Sequence, residues 1–237
     1  DMLNMKVQTQ WAKRVYGQQS EQISDYTELN LIERMDDPRM VTLRGWVDPY
    51  SYRNRYNLPK LLLLGTNDPY WTVDSLRHYW NELPAPKLVF QVPNGGHGFK
   101  ARKGLPEIDG PHQVTQTLAA FVQMVADGQT LPKVDWQFAD GAHPEIVVAT
   151  DQPTQSIRLW TVASTDRDFR NDAWSLQEES KTNARQARFA LPKPERGYRA
   201  GLAEVVMKAP TGHEYRLSTA VRVVPDERES SKLPPPA

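Results

Sequence analysis

Two loops carry residues that could do chemistry together. The segment Gly65–Pro69 holds Asp68, and the segment Pro93–Gly98 holds His97. A carboxylate can orient an imidazole through one ring nitrogen and stabilise the imidazolium that forms when the other takes a proton. The glycines around His97 let the backbone come close to a substrate or a nucleophile. Tyr70 and Trp71 follow the acid directly and are the candidate walls of a substrate pocket. Each residue alone also has a plainer role. Asp before Pro is a common turn residue, and a His in a Gly-rich loop is often merely solvated. Their joint placement carries the signal, and an acid followed by its base is one of the chain orders that nucleophile–acid–base triads adopt.

The elements that must position the two loops are apolar runs. Lys60–Gly65, entered after Pro59, contains Leu61 to Leu64 without interruption. A strand buried on both faces has this look, which favours a parallel sheet covered by helices. Lys87–Val92 is a second β-rich run, ended by Pro93. Ligands and catalytic groups collect at the carboxyl ends of strands in open α/β sheets. A strand–helix–strand crossover, with its helix capped at Asp74 and running to about Glu82, would set the Asp68 and His97 loops side by side. An amphipathic helix is predicted from 3 to about 23, interrupted near Gly17, and short helices and loops over 24–58. Another helix is predicted over 112–127, with Val114, Leu118, Phe121, Val122 and Val125 as its apolar stripe and Gly128 as its C-cap.

Beyond about residue 130 the pattern changes to short β-branched or alternating runs separated by turn residues. Such a series predicts a small β-sandwich of immunoglobulin-like type. The expected organisation is therefore a partial α/β layer over 1–130, a β-sandwich over 131–224, and a polar, Pro-rich flexible tail over 225–237.

A nucleophile for the Asp–His pair is not apparent. Ser20, Ser24 and Ser51 are the serines before Asp68, and none follows a buried strand or has small residues on both sides for a strained elbow. His78, His112, His143 and His213 lack metal-ligand spacing, so no metal site is expected. The acids of Thr165–Asp172 alternate with Arg167 and Arg170, which suits a loop held by ion pairs better than a calcium site. No phosphate loop or dinucleotide fingerprint is present, and no cofactor is expected. Lys plus Arg and Asp plus Glu are both 29, giving a net charge of zero. That argues against nucleic acid as a partner. Cysteine is absent, so a thiol nucleophile and disulfides are excluded. The longest apolar run is far short of a transmembrane segment.

Several segments together resemble a known family. They are Val47–Arg53, Pro59–Leu61, Asp68 with Pro69, Tyr79–Pro84 and Val92–His97, joined later by Thr165–Arg170 and Trp174. The chain, over roughly 1–224, resembles the C-terminal portion of the PhoPQ-activated pathogenicity-related proteins, within the α/β-hydrolase superfamily. The resemblance implies a hydrolase-like layer followed by a β-rich domain, with Asp68 as the triad acid and His97 as the triad base. It also implies a nucleophilic Ser in an earlier elbow that this chain lacks, and a secreted or envelope location.

The expectation is thus a C-terminal part of a serine-hydrolase-like protein, acting on ester or peptide bonds and inactive alone. Its partner would be the missing N-terminal hydrolase segment. The strand at 61–64 should then expose an unpaired edge and apolar surface, leaving the isolated chain poorly soluble or associated. The alternative is a non-catalytic binding module or pseudoenzyme.

Overall fold

The computed structural model describes residues 3–226. The protein is a mixed α/β structure with several antiparallel sheets and few helices. Helix α1 (Met5–Tyr16) stops where Gly17 takes a left-handed conformation, φ 72°. Beyond it, Ser20 caps a short 3-10 turn instead of letting the helix run on to residue 23. Helix α2 (Ser24–Glu28) and helix α3 (Pro38–Val47), which starts on an Asp37 cap with Pro at its first turn, fill the next stretch.

Strand β1 (Lys60–Gly65) and strand β2 (Lys87–Val92) pair in parallel, with Leu61 opposite Leu88 and Gly65 opposite Val92. Between them the expected single helix is two 3-10 turns, Ser75–His78 and Trp80–Glu82. The physical reason lies in Asp74. Its carboxylate makes no cap bond and is spent on two arginines instead. β2 is buried almost throughout, but β1 is only half-buried at every position. The expectation of burial on both faces therefore fails for β1, because among the described residues no strand pairs with its other edge.

Helix α4 (Gly110–Ala126) follows, and it is turned relative to the predicted stripe. Val114, Thr117, Ala120 and Met124 face inward, whereas Leu118, Val122 and Val125 are 45%, 54% and 39% exposed. The small Thr117 and Ala120 side chains let the helix settle closely, and Thr117 Oγ1 accepts the Arg216 N–H at 3.0 Å.

The rest of the chain is antiparallel β-structure: β3 (Val134–Ala139), β4 (Glu145–Thr150), β5 (Ser156–Ser164), β6 (Ser175–Glu179), β7 (Gln186–Ala190), β8 (Tyr198–Lys208), β9 (Glu214–Ser218) and β10 (Arg222–Val224). One sheet has the order β3-β4-β7; the other runs β10-β8-β5-β6, with β9 also on β8. Ile146, Val148 and Phe189 of the first sheet share a core with Ile157, Leu159, Ala203 and Val205 of the second. Burial of these aliphatic groups is the main stabilising term, at about 1.5–3 kcal/mol for each large side chain. Leu88 of β2 and Ala120 and Met124 of α4 belong to the same core, so the α/β layer is seated directly on the β-structure. Of the polar tail expected over 225–237, residues 227–237 lie outside the described residues.

Candidate active site

The site begins where β1 and β2 end. At Gly65 the chain passes so close to the neighbouring loop that a Cβ would lie 2.3 Å from the Gly95 carbonyl oxygen and 2.5 Å from that of Gly96. Only glycine permits this approach. It allows the two loops to be stitched together by their backbones. Asn67 N–H donates to Gly95 C=O at 2.9 Å, Thr66 N–H to Val92 C=O at 3.1 Å, and Asn94 N–H to Thr66 Oγ1 at 2.9 Å. Asn94 has φ 62°, a left-handed conformation that Asn tolerates better than most residues.

This stitching brings Asp68 and His97 together. Asp68 Oδ1 accepts the Tyr70 N–H at 2.9 Å, an Asx-type turn that fixes the carboxylate. Its Oδ2 lies 2.9 Å from His97 Nδ1. The Tyr70 ring lies against the imidazole, centroids 4.3 Å apart and 35° between planes. With Nδ1–H donated to the carboxylate, Nε2 is the basic nitrogen. It has no hydrogen-bond partner among the described residues, and the His97 side chain is 56% exposed against 16% for Asp68. Chemically this is an imidazole oriented through one nitrogen, with an exposed ring that could act as a base. Trp71 is buried, at 7% exposure, so it presents little surface to a ligand.

No serine before Asp68 is bonded to His97. Ser20 Oγ donates to the Pro69 carbonyl at 2.7 Å and accepts the Gln22 N–H at 3.1 Å. Ser51 Oγ donates to the Arg44 carbonyl at 3.2 Å. Among the described residues no group of three or more His, Asp or Glu side chains could hold a metal ion.

A turn from the β-structure, residues 167–174, holds both loops from behind. The Asn67 side-chain amide is fully buried and donates to the carbonyls of Phe169, Arg170 and Asp172 at 3.0, 3.3 and 2.9 Å. Asn94 bonds Trp174 twice, its Oδ1 accepting the Trp174 N–H at 2.7 Å and its Nδ2 donating to the Trp174 carbonyl at 2.9 Å. Arg167, 1% exposed, reaches Asp74 Oδ2 at 2.9 Å, and Arg77 reaches the same oxygen at 2.8 Å. The Trp11 ring lies beside both guanidiniums, at 5.0 and 4.9 Å, and its Nε1–H donates to Asp74 Oδ1 at 3.1 Å. Burial pushes the Asp74 carboxyl up, but the two arginines outweigh it and hold the group well below the usual carboxylate range. The sequence reading did not single out Asn67, Asn94 or Asp74 for these roles. The visible signal was the pairing of amide side chains with the glycines of the two site loops.

A family model described as PhoPQ-activated pathogenicity-related protein matches residues 1–170. The autocrine proliferation repressor protein A of Dictyostelium discoideum is 26% identical over 239 aligned residues, covering 89% of this chain and 47% of its own length. This chain thus spans about half the length of that relative. A crystal structure of the ApaA protein from Bordetella pertussis overlaps with 39% of this chain and 89% of its own, at 9% identity and a TM-score of 0.21, a likeness too weak to bear on the fold. No helix among the described residues is long and apolar enough to cross a membrane.

Proposed function

The chain belongs to the PhoPQ-activated pathogenicity-related protein family, and from that premise we propose that it is the C-terminal part of an α/β-hydrolase-type serine hydrolase. Asp68 orients and His97 is the general base. The nucleophilic serine and the oxyanion donors belong to a segment outside this chain. In this mechanism His97 Nε2 takes the proton from the serine Oγ as the oxygen attacks the carbonyl of an ester or peptide bond. The same proton is then given to the leaving alkoxide or amine, and Asp68 stabilises the imidazolium between the two transfers.

The observation that carries this reading is the 2.9 Å contact between Asp68 Oδ2 and His97 Nδ1 at the adjoining carboxyl ends of two parallel strands, with Nε2 left open. Two further features support a larger sheet. β1 is half-buried along its length, and α4 leaves Leu118, Val122 and Val125 exposed. Further parallel strands would pair with the open edge of β1, and in such a layer apolar helix faces are covered. The β-structure is then read as the immunoglobulin-like sandwich that follows the hydrolase layer. A secreted or envelope location is part of the same reading and rests on the family alone.

A second reading draws on the Dictyostelium relative, whose name describes a repressor of proliferation: the chain would be a non-catalytic interaction module. Ester turnover separates the two. The chain alone is expected to be silent toward activated esters, because loss of nucleophile and oxyanion donors removes most transition-state stabilisation. The same chain joined to the residues encoded upstream is expected to turn them over, and His97→Ala to abolish that turnover. Turnover by the chain alone, or turnover indifferent to His97, refutes the proposal.

A further inference from the structure

A cleft of about 190 Å³ opens beside the Asp68 loop, between the 18–22 turn, Pro69, Arg102 and the turn at Arg170 and Asn171. It adjoins the site on both sides. Pro69 follows the acid directly, and the aliphatic stem of Arg102 lies along Gly96, next to the base, where a Cβ would come within 3.1 Å of the Arg102 Cγ.

The charges in its wall are unequally matched. Arg170 is paired with Asp168 through Nε and Nη2, and its Nη1 donates to the Pro69 carbonyl at 3.4 Å. Arg102 makes no ion pair within 4 Å among the described residues, although the Asp168 carboxylate feels its charge. Its Nη1 donates to the Arg170 carbonyl at 2.9 Å, and the rest of its donor fork is unused. The backbone carbonyl and the Gly96 contact hold this guanidinium in place at little further entropic cost. Gln18, Gln22 and Asn171 in the lining are neutral amides. Glu21 is the one acid in the lining. Its charge opposes a dianion more strongly than a monoanion.

We propose that this cleft is the subsite for a carboxylate-bearing end of the substrate, with Arg102 as its recognising residue. The inference rests on the reading of Asp68 and His97 as an acyl-transfer pair, since it names the class of molecule presented to them. An arginine fork matches a carboxylate with two parallel N–H bonds, which gives orientation as well as affinity. The substrate would then be an ester or peptide bond lying close to a free carboxyl group.

Binding is measurable on the chain without catalysis. The probes are N-acetylalanine, its methylamide and inorganic phosphate, followed through the Arg102 Nε–H and Asn171 side-chain NMR signals. N-acetylalanine is expected to shift both signals and the methylamide neither. Arg102→Gln is expected to weaken binding by about tenfold or more, and Arg102→Lys, which keeps the charge without the fork, by less. Unchanged amide signals elsewhere verify that the variants fold. No shift with the acid, equal binding of acid and methylamide, or full binding by Arg102→Gln overturns the proposal. Tighter binding of phosphate than of the acid overturns the carboxylate assignment. His97→Gln is expected to leave binding intact, which separates the two claims. If the acid binds through Arg102 while the completed protein turns over no ester, the catalytic reading falls and the subsite stands.

Discussion

Replacing Asp74 with Asn removes the charge from the centre of the contact between the β1–β2 connection and the 167–174 turn. The carboxylate side chain is 2% exposed and lies between Arg167, 1% exposed, and Arg77, 16% exposed. Asn keeps the acceptor for Trp11 Nε1–H but takes away the carboxylate that lies between the two guanidiniums, while Arg77 retains Asp226 at 3.2 Å. Removing one partner of a buried pair costs about 3–5 kcal/mol, because the other charge remains desolvated. For a protein of this size each kcal/mol lowers Tm by about 2–4 °C, so Asp74→Asn should melt roughly 6–20 °C below the parent. Arg167→Met should cost less, about 1–3 kcal/mol, since Arg77 still neutralises Asp74.

The pH dependence has a definite sign. A carboxylate with a depressed folded-state pKa binds fewer protons folded than unfolded, so its contribution is complete above the unfolded value of about 4 and is lost as pH falls toward the folded one. Urea melts of parent and Asp74→Asn at pH 7 and pH 3 should therefore converge as pH falls. A loss below about 1 kcal/mol at pH 7, or a gap between the two that is independent of pH, refutes the argument.

Other substitutions test the framework around the site. Asn94→Ala strands the Trp174 N–H and C=O and should cost about 2–4 kcal/mol in a urea melt, with the His97 ring signals shifted in NMR. Gly65→Ala drives a Cβ into two backbone carbonyls that cannot rotate away; a loss of at least about 1–3 kcal/mol and of the Asp68–His97 contact is expected by melt and NMR. Leu118→Glu with Val122→Lys removes apolar surface from the open face of α4; light scattering should report less self-association, with Tm within about 2 °C of the parent.

The sequence was most legible where a single local rule decided the outcome. Leu61 to Leu64 between Pro59 and Gly65 marked β1, and the alternating runs after residue 130 marked the antiparallel strands. The Asp68 and His97 loops were readable because a strand's carboxyl end is a place, not a pattern, and both residues follow an apolar run. What stayed hidden depended on partners distant in sequence. Asp74 reads as a helix cap until Arg167, 93 residues later, claims its carboxylate. Hydrophobicity points to Leu118 and Val122 as the inward face of α4, whereas close packing selects Thr117 and Ala120. Strand β6 (Ser175–Glu179) is exposed along its whole length and carried no burial pattern to read. β9 and β10 both lie on β8, and between them Thr219 Oγ1 accepts the Ala203 N–H at 3.1 Å.

In the proposed mechanism His97, oriented by Asp68, activates a serine supplied from outside this chain. A fluorophosphonate probe tests it most directly, applied to the protein that contains this chain together with the residues encoded upstream, with the modified residue mapped by mass spectrometry. A single labelled serine upstream of Asp1 is expected. His97→Ala should prevent labelling, and Asp68→Asn should slow it by orders of magnitude, on the order of 10⁴-fold in the related triad case. A label on a serine within residues 1–237, labelling that persists in His97→Ala, or no labelling at all would contradict it.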